Sequence, residues 1–250
     1  MNTFSKMLVA GLLTSAMSIP ALAADLRPME TPLAAPVSTS GFYIGSLSSV
    51  NFLDNTGFDV GPASISTEYD VGFYSSLRAG YKFDPMGFVT PRAELELGYG
   101  NASVDEHRVA GVGGVGGIDS FGDARTFQGY VNGYFDIPVA ADGFMSAITP
   151  FVGGGVGFMK LNLRKQGVSG VATLMDDSDT QFAYHLDAGV GINLQGIGLF
   201  SNTSLFDNTT LDIGYRFTAA DDFDFTARDG TSSSTDFRSN AVTFGLRKQF

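Results

Sequence analysis

The sequence predicts an all-β protein, an eight-stranded antiparallel transmembrane β-barrel. Three observations carry that prediction. The N-terminus reads as an export signal, and no later apolar run is long enough for a membrane helix. Bulky apolar side chains recur at every second position through eight segments. The connections between those segments alternate between long and short.

Residues 1–23 have the layout of a secretory signal peptide. Lys6 is the only charge ahead of the apolar run Met7 to Met17, and Pro20 precedes the small-x-small pattern Ala21-Leu22-Ala23. The apolar run is shorter than the roughly 20 residues of a membrane-spanning helix. Residues 24–40 are rich in Pro and Ala without periodicity and read as a linker. The remaining 41–250 are expected to form one barrel domain. The chain has no Cys, so neither disulfides nor thiol chemistry are available. Its net charge of −11 is the wrong sign for a nucleic-acid binder. Gly accounts for 32 of 250 residues, well above the usual share of about 7%.

The segments follow in order. In the first, Phe42, Ile44, Val50 and Phe52 share a face with Ser46 and Ser48. In the second, Phe73, Leu77, Ala79, Tyr81 and Phe83 oppose Tyr74, Ser76, Arg78, Gly80 and Lys82. In the third, Ala93, Leu95, Leu97 and Tyr99 oppose Arg92, Glu94, Glu96 and Gly98. In the fourth, Phe127, Val131 and Phe135 oppose Gln128 and Asn132. In the fifth, Val152, Val156 and Phe158 oppose Gly153, Gly155 and Gly157, and the apolar pattern changes phase near Met159. In the sixth, Phe182 to Leu194 alternate against His185, Asp187, Gly189, Gly191 and Asn193. In the seventh, Leu211, Ile213, Tyr215 and Phe217 oppose Asp212, Gly214 and Arg216. In the last, Val242, Phe244, Leu246 and Phe250 oppose Thr243, Gly245, Arg247 and Gln249. Tyr43, Tyr130, Tyr134 and Phe151 fall on the polar face.

Period two is the repeat of a strand. Globular strands average about 5 or 6 residues, whereas a tilted bilayer crossing takes roughly 9 to 11, and these segments are of the longer kind. Backbone amides in hydrocarbon need partners, so such strands must close into a cylinder. The long polar connections are 53–69, 105–123, 165–180 and 218–236. The shorter ones are Asp84-Pro85-Met86-Gly87, 138–146 and 195–208. That alternation is the loop asymmetry of an outer-membrane barrel. Asp229-Gly230 is a hairpin signal flanked by Phe223, Phe225 and Phe237, so the last two strands are expected to project as a ribbon.

"GFYIG" at Gly41 to Gly45, "TPFVGGGVGF" at Thr149 to Phe158, the linker after Ala24-Asp25 and the terminal Phe250 together resemble the small outer-membrane β-barrel proteins of Gram-negative bacteria. The resemblance is to the alphaproteobacterial porin-family or surface-antigen group, similar in fold to the OmpA transmembrane domain and OmpX. It covers about 41–250. It implies residence in the bacterial outer membrane, contact with lipid and lipopolysaccharide, and exposed loops that serve as antigens or adhesion surfaces toward host molecules. It also implies that Phe244, Leu246 and Phe250 form a terminal signal for the outer-membrane assembly machinery. An interfacial aromatic is the alternative role for Phe250.

Chemistry is otherwise scarce. His107 sits in a polar connection and His185 on an inward face near Asp187, with no Ser placed to complete a hydrolytic triad. Gly111-Val112-Gly113-Gly114-Val115-Gly116 matches G-x-G-x-x-G, but in a loop rather than between strand and helix. The clusters Asp176, Asp177, Asp179 and Asp221, Asp222, Asp224 lack the spacing of a calcium loop. No catalytic, cofactor or metal site is expected. The inward charges are the informative set: Arg78, Lys82, Arg92, Glu94, Glu96, Asp187, Asp212, Arg216 and Arg247. Paired, they form a network that plugs the lumen. The expected role is structural and surface-related, and a small-solute porin is the alternative.

Overall fold

The computed structural model describes residues 40–60, 63–110, 118–139, 143–168, 172–196, 206–226 and 230–250. The expected signal peptide 1–23, nearly all of the expected linker 24–40, the Gly111–Gly116 run and Asp229 lie outside the described residues.

The described residues form ten strands: β1 (Gly41–Leu53), β2 (Thr56–Val60), β3 (Ala63–Tyr69), β4 (Gly72–Lys82), β5 (Thr90–Ala110), β6 (Ile118–Asp136), β7 (Ile148–Val168), β8 (Ala172–Asn193), β9 (Thr209–Thr226) and β10 (Ser232–Gln249). Eight of them close an antiparallel ring, each hydrogen-bonded to the next, with β1 paired to both β4 and β10. Closure leaves no sheet edge in the bilayer. The other two, β2 and β3, prolong β1 and β4. Asn51↔Gly72 and Thr56↔Thr67 stay in one register, and β3 continues along β5 where β4 leaves it.

The connection 53–69, expected as a loop, therefore contains a hairpin. The connections 105–123, 165–180 and 218–236 are likewise largely strand, because β5 to β10 run on past the apolar band. Polar outward residues and register irregularities break up the period-two signal there, while most of the strand pairs stay hydrogen-bonded. The last two strands do form a projecting ribbon, paired to Ser232↔Thr226, with Gly230 at φ 91°.

The outer wall is apolar, with aromatic belts at two levels. Phe42, Tyr81 and Phe83 pack edge to face near the rim that carries the chain terminus. Phe73, Tyr99, Phe127 and Phe158 line the other level, all exposed. Phe42 to Phe52 on a strand rising about 3.4 Å per residue and tilted roughly 40° gives a band about 25 Å tall, the height of a barrel's hydrocarbon belt. Ile44, Leu77, Leu95, Leu97, Val131, Val156, Leu186, Val242 and Leu246 fill it, all exposed. Leu194 departs from the expected outward phase. It lies just past β8, where its N–H meets Thr209 O, and it is buried.

At the rim near the terminus, Met86 and Val89 exchange backbone hydrogen bonds around Gly87, whose φ of 66° suits the first central position of a tight reversal.

Candidate functional site

The lumen holds a dense set of buried ionisable groups. Inward positions alternate with lipid-facing ones along each strand, so β4, β5, β8, β9 and β10 aim their charges at one another. Arg216 on β9 is the hub. Its Nε donates to Asp187 Oδ1 at 2.7 Å and its Nη1 to Glu96 Oε1 at 2.8 Å. Its Nη2 reaches both carboxylates at 3.1 Å. The planar fork of Arg suits two such pairs at once.

The carboxylates are further satisfied. Tyr134 OH donates to Asp187 at 2.8 Å and Tyr74 OH to Glu96 at 2.8 Å. Asn132 Nδ2 donates to Glu94 at 3.1 Å and to Glu96 at 3.0 Å. That fixes the amide, so its Oδ1 accepts from His185 Nε2 at 2.9 Å. The other ring nitrogen of His185 lies 2.9 Å from Asp187 Oδ2. Nε2 of His185 is thus taken up by Asn132, while Nδ1 lies beside the Asp187 carboxylate without a formed hydrogen bond.

A second group lies nearer the terminal rim. Arg247 clamps Asp212 through Nε at 2.7 Å and Nη2 at 2.9 Å. Arg78 is shared more loosely, 3.4 Å from Asp212 and 3.8 Å from Glu94, and also donates to Ser46 O at 2.9 Å. Tyr43 OH donates to Glu94 at 3.0 Å. Arg92 pairs with Asp136 at 2.9 Å and stacks its guanidinium 4.7 Å from the Tyr134 ring centre. Lys82 is half-buried at this mouth and makes no ion pair among the described residues.

Of the residues singled out from sequence, Arg78, Arg92, Glu94, Glu96, Asp187, Asp212, Arg216 and Arg247 come together in the lumen, all buried. Phe244, Leu246 and Phe250 lie on the outer wall, with Phe250 the most exposed at 72%. Sequence reasoning missed Asp136, which has the inward parity of Asn132 and balances the charge count. It also noted Tyr43, Tyr74, Asn132, Tyr134 and His185 without seeing that they are the network's neutral donors and acceptors. The signal was there: an aromatic out of phase with an apolar face belongs to the opposite face.

Glycines create the room for those rings. A Cβ on Gly80 would lie within the Tyr43 ring, on Gly98 within Tyr74, and on Gly153 within Tyr134. Each tyrosine lies over a bare stretch of neighbouring strand.

Above this network the lumen turns apolar. Met159, Leu161, Leu163, Phe223, Phe225 and Phe237 form a buried cluster with Tyr69, Ala102, Ala124, Ala183 and Ala220. Between the two layers lies a cavity of ≈ 20 Å³, lined by Ser49, Tyr74, Gln128, Arg216 and Thr218 among others. A space of that size holds about one water.

A family profile described as outer membrane protein beta-barrel domain matches residues 9–250. The chain belongs to that family. The barrel is accordingly a bacterial outer-membrane protein, seated in lipid. Among solved structures it is similar to the Neisserial surface protein A, with 16% identity, 84% of this chain and 98% of that chain covered, and a TM-score of 0.46. It is also similar to the outer membrane protease OmpT from Escherichia coli, with 8% identity, 85% and 95% covered and a TM-score of 0.47. OprG from Pseudomonas aeruginosa follows, with 11% identity, 85% and 98% covered and a TM-score of 0.42. No curated protein matches the chain.

Proposed function

We propose that this barrel is a plugged, non-conducting outer-membrane protein with a structural and surface role. The observation that carries this reading is the Arg216 clamp on Glu96 and Asp187. It ties β5, β8 and β9 together across the lumen. An ion passing this level has to displace paired charges, and the apolar cluster stands beyond it. Buried pairs are stiff because opening one strands a desolvated charge.

On this reading the terminal side faces the periplasm and the long strand extensions face outward. Those extensions are the surface available to lipopolysaccharide or to host molecules. The exposed Phe250, with Phe244 and Leu246 behind it on the outer wall, serves the assembly machinery. No catalytic role is assigned, since His185 has Asn132 where a hydrolase would need its nucleophile.

The rival is a small-solute porin. One observation favours it: Arg78 makes only long ion pairs, the loosest point of the plug. Planar-bilayer recording of refolded protein decides between the two, with Glu94→Gln measured beside it. The plugged reading expects a silent bilayer from protein whose folding is confirmed by heat-dependent gel mobility. Steady openings whose size or selectivity changes in Glu94→Gln establish the porin instead.

A further inference from the structure

The barrel wall changes character between β8 and β9. The backbone ladder between them ends at Ala183↔Ala220, although β8 reaches Ala172 and β9 reaches Thr226. A bulge on β9 lies just above that point. Two residues, Asp221 and Asp222, face the single Asp236 of β10, and Asp222 takes φ 61°. An extra residue bends a strand and ends its pairing with a neighbour.

Past the bulge, side chains of β8 do what its carbonyls no longer do. Asp224 N–H donates to Asp179 Oδ2 at 2.9 Å, and Thr226 N–H donates to Asp177 Oδ2 at 2.9 Å. Both carboxylates are held ready. Thr180 N–H and the Gln181 amide donate to Asp179 at 2.7 and 2.8 Å, and Ser178 N–H donates to Asp177 at 2.8 Å. Behind this seam Phe223 and Phe225, stacked at 6.1 Å, lie over the apolar cluster with Leu161 and Leu163.

We propose that Asp177 and Asp179 form a carboxylate latch that holds the β9–β10 ribbon closed over the apolar upper lumen, and that acid loosens it through Asp179. The ribbon is a lid: its inner face is the apolar cluster, β9 and β10 stay paired as far as Ser232↔Thr226, and among the described residues these two side chains tie it to β8 above Ala183.

The charged surroundings set the sign. β8 also carries Asp176, and β9 carries Asp221, Asp222 and Asp224. β10 contributes Asp236 and Arg238, with Arg238 bound to Asp221 at 2.9 Å and to Asp236 at 3.4 Å. Lys160 of β7 stands opposite Thr180, and Arg164 and Lys165 follow at an irregularity above Leu163. β6 brings Asp123 and Arg125, paired with each other at 3.1 Å. This seam lies above the lipid-facing band. Burial acts to raise the Asp179 carboxyl, but the N–H of Asp224, the Gln181 amide and the N–H of Thr180 outweigh it and hold it below its usual value. A carboxyl lowered in the closed state stabilises that state above its ordinary pKa of about 4. The contribution is lost as the pH falls through the lowered value.

The test is amide hydrogen exchange of the full barrel in lipid nanodiscs, read as protection factors so that intrinsic exchange rates cancel. Asp177→Ala with Asp179→Ala should lower protection at Asp224 and Thr226 at least about tenfold at neutral pH. The amides of β9 below Ala220 should be unchanged. Asp177→Asn with Asp179→Asn keeps one acceptor oxygen on each side chain, enough to take the β9 N–H, and removes the charge. It should keep most protection at neutral pH and show no acid-dependent drop, whereas the native chain loses protection on acidification. Unchanged protection in the alanine variant overturns the latch. An acid loss in the asparagine variant equal to that of the native chain overturns its pH control.

Discussion

On β7, Val152, Val156 and Phe158 face outward, while Met159, Leu161 and Leu163 face inward and are buried. The backbone keeps its phase throughout: Phe151, Gly155, Met159, Leu161 and Leu163 all sit on the lumen side. What inverts is the solvent. In the lower half lipid surrounds the barrel, so apolar residues go out and polar ones go in, where they must pair. In the upper half water surrounds it, and the interior becomes an ordinary hydrophobic core. The expected change of phase near Met159 is therefore the membrane boundary read from one strand. On β9 the same exchange needs a backbone device, because Phe217 and Phe223 have the same parity. The bulge at Asp222 resets it, turning Phe223 and Phe225 inward.

The two halves should break in different ways. The largest effect is expected from Arg216→Met in the polar half. It leaves Glu96 and Asp187 buried without their cation, which costs about 3–5 kcal/mol. Refolding into lipid, followed by heat-dependent gel mobility, should show loss of the compact form. Phe223→Ala strikes the apolar half at a similar local cost of about 3–5 kcal/mol. Its barrel should still show the heat-modifiable band, while limited proteolysis cuts the upper strands sooner. If Phe223→Ala instead abolished the folded band, the halves would be one cooperative unit.

A smaller effect sharpens the packing argument. Gly98→Ala drives a methyl into the Tyr74 ring and should cost about 1–3 kcal/mol. Combining it with Tyr74→Ala should cost less than the sum of the two in urea titrations of the refolded barrel, because the collision vanishes. The smallest effect on stability is expected from deleting Phe250, within about 0.5 kcal/mol for an exposed rim residue. The same deletion should sharply reduce the amount of protein assembled in the outer membrane of living cells, measured by membrane fractionation. Equal loss in refolding and in cells would make Phe250 an interfacial anchor only.

Much of the lower half was legible in the residues. Alternation placed Arg78, Arg92, Glu94, Glu96, Asp187, Asp212, Arg216 and Arg247 on one side of the wall, and closure of the ring brings them together. The partners were less legible. Asp136 went unnoticed because the fourth segment was read only as far as Phe135. Tyr43 and Tyr134 fall on the polar face with no partner visible in the sequence; in the fold their hydroxyls reach Glu94 and Asp187. The upper half was nearly silent, since polar outward residues and a bulge hide the repeat, and the connections read as loops.

By itself the sequence determined what local chemistry and period can determine. It specified strands, their lipid-facing side, the need for a closed cylinder and charges of both signs inside it, because each follows from alternation and from the cost of an unpaired group in hydrocarbon. Only the tertiary structure decided which charge pairs with which. That choice depends on stagger across the ring, as when Arg78 on β4 meets Asp212 on β9. The tertiary structure also decided where the interior turns from polar to apolar and where β8 and β9 part. Those features come from contacts between strands far apart in the chain and from one bulge whose effect on phase no single strand records.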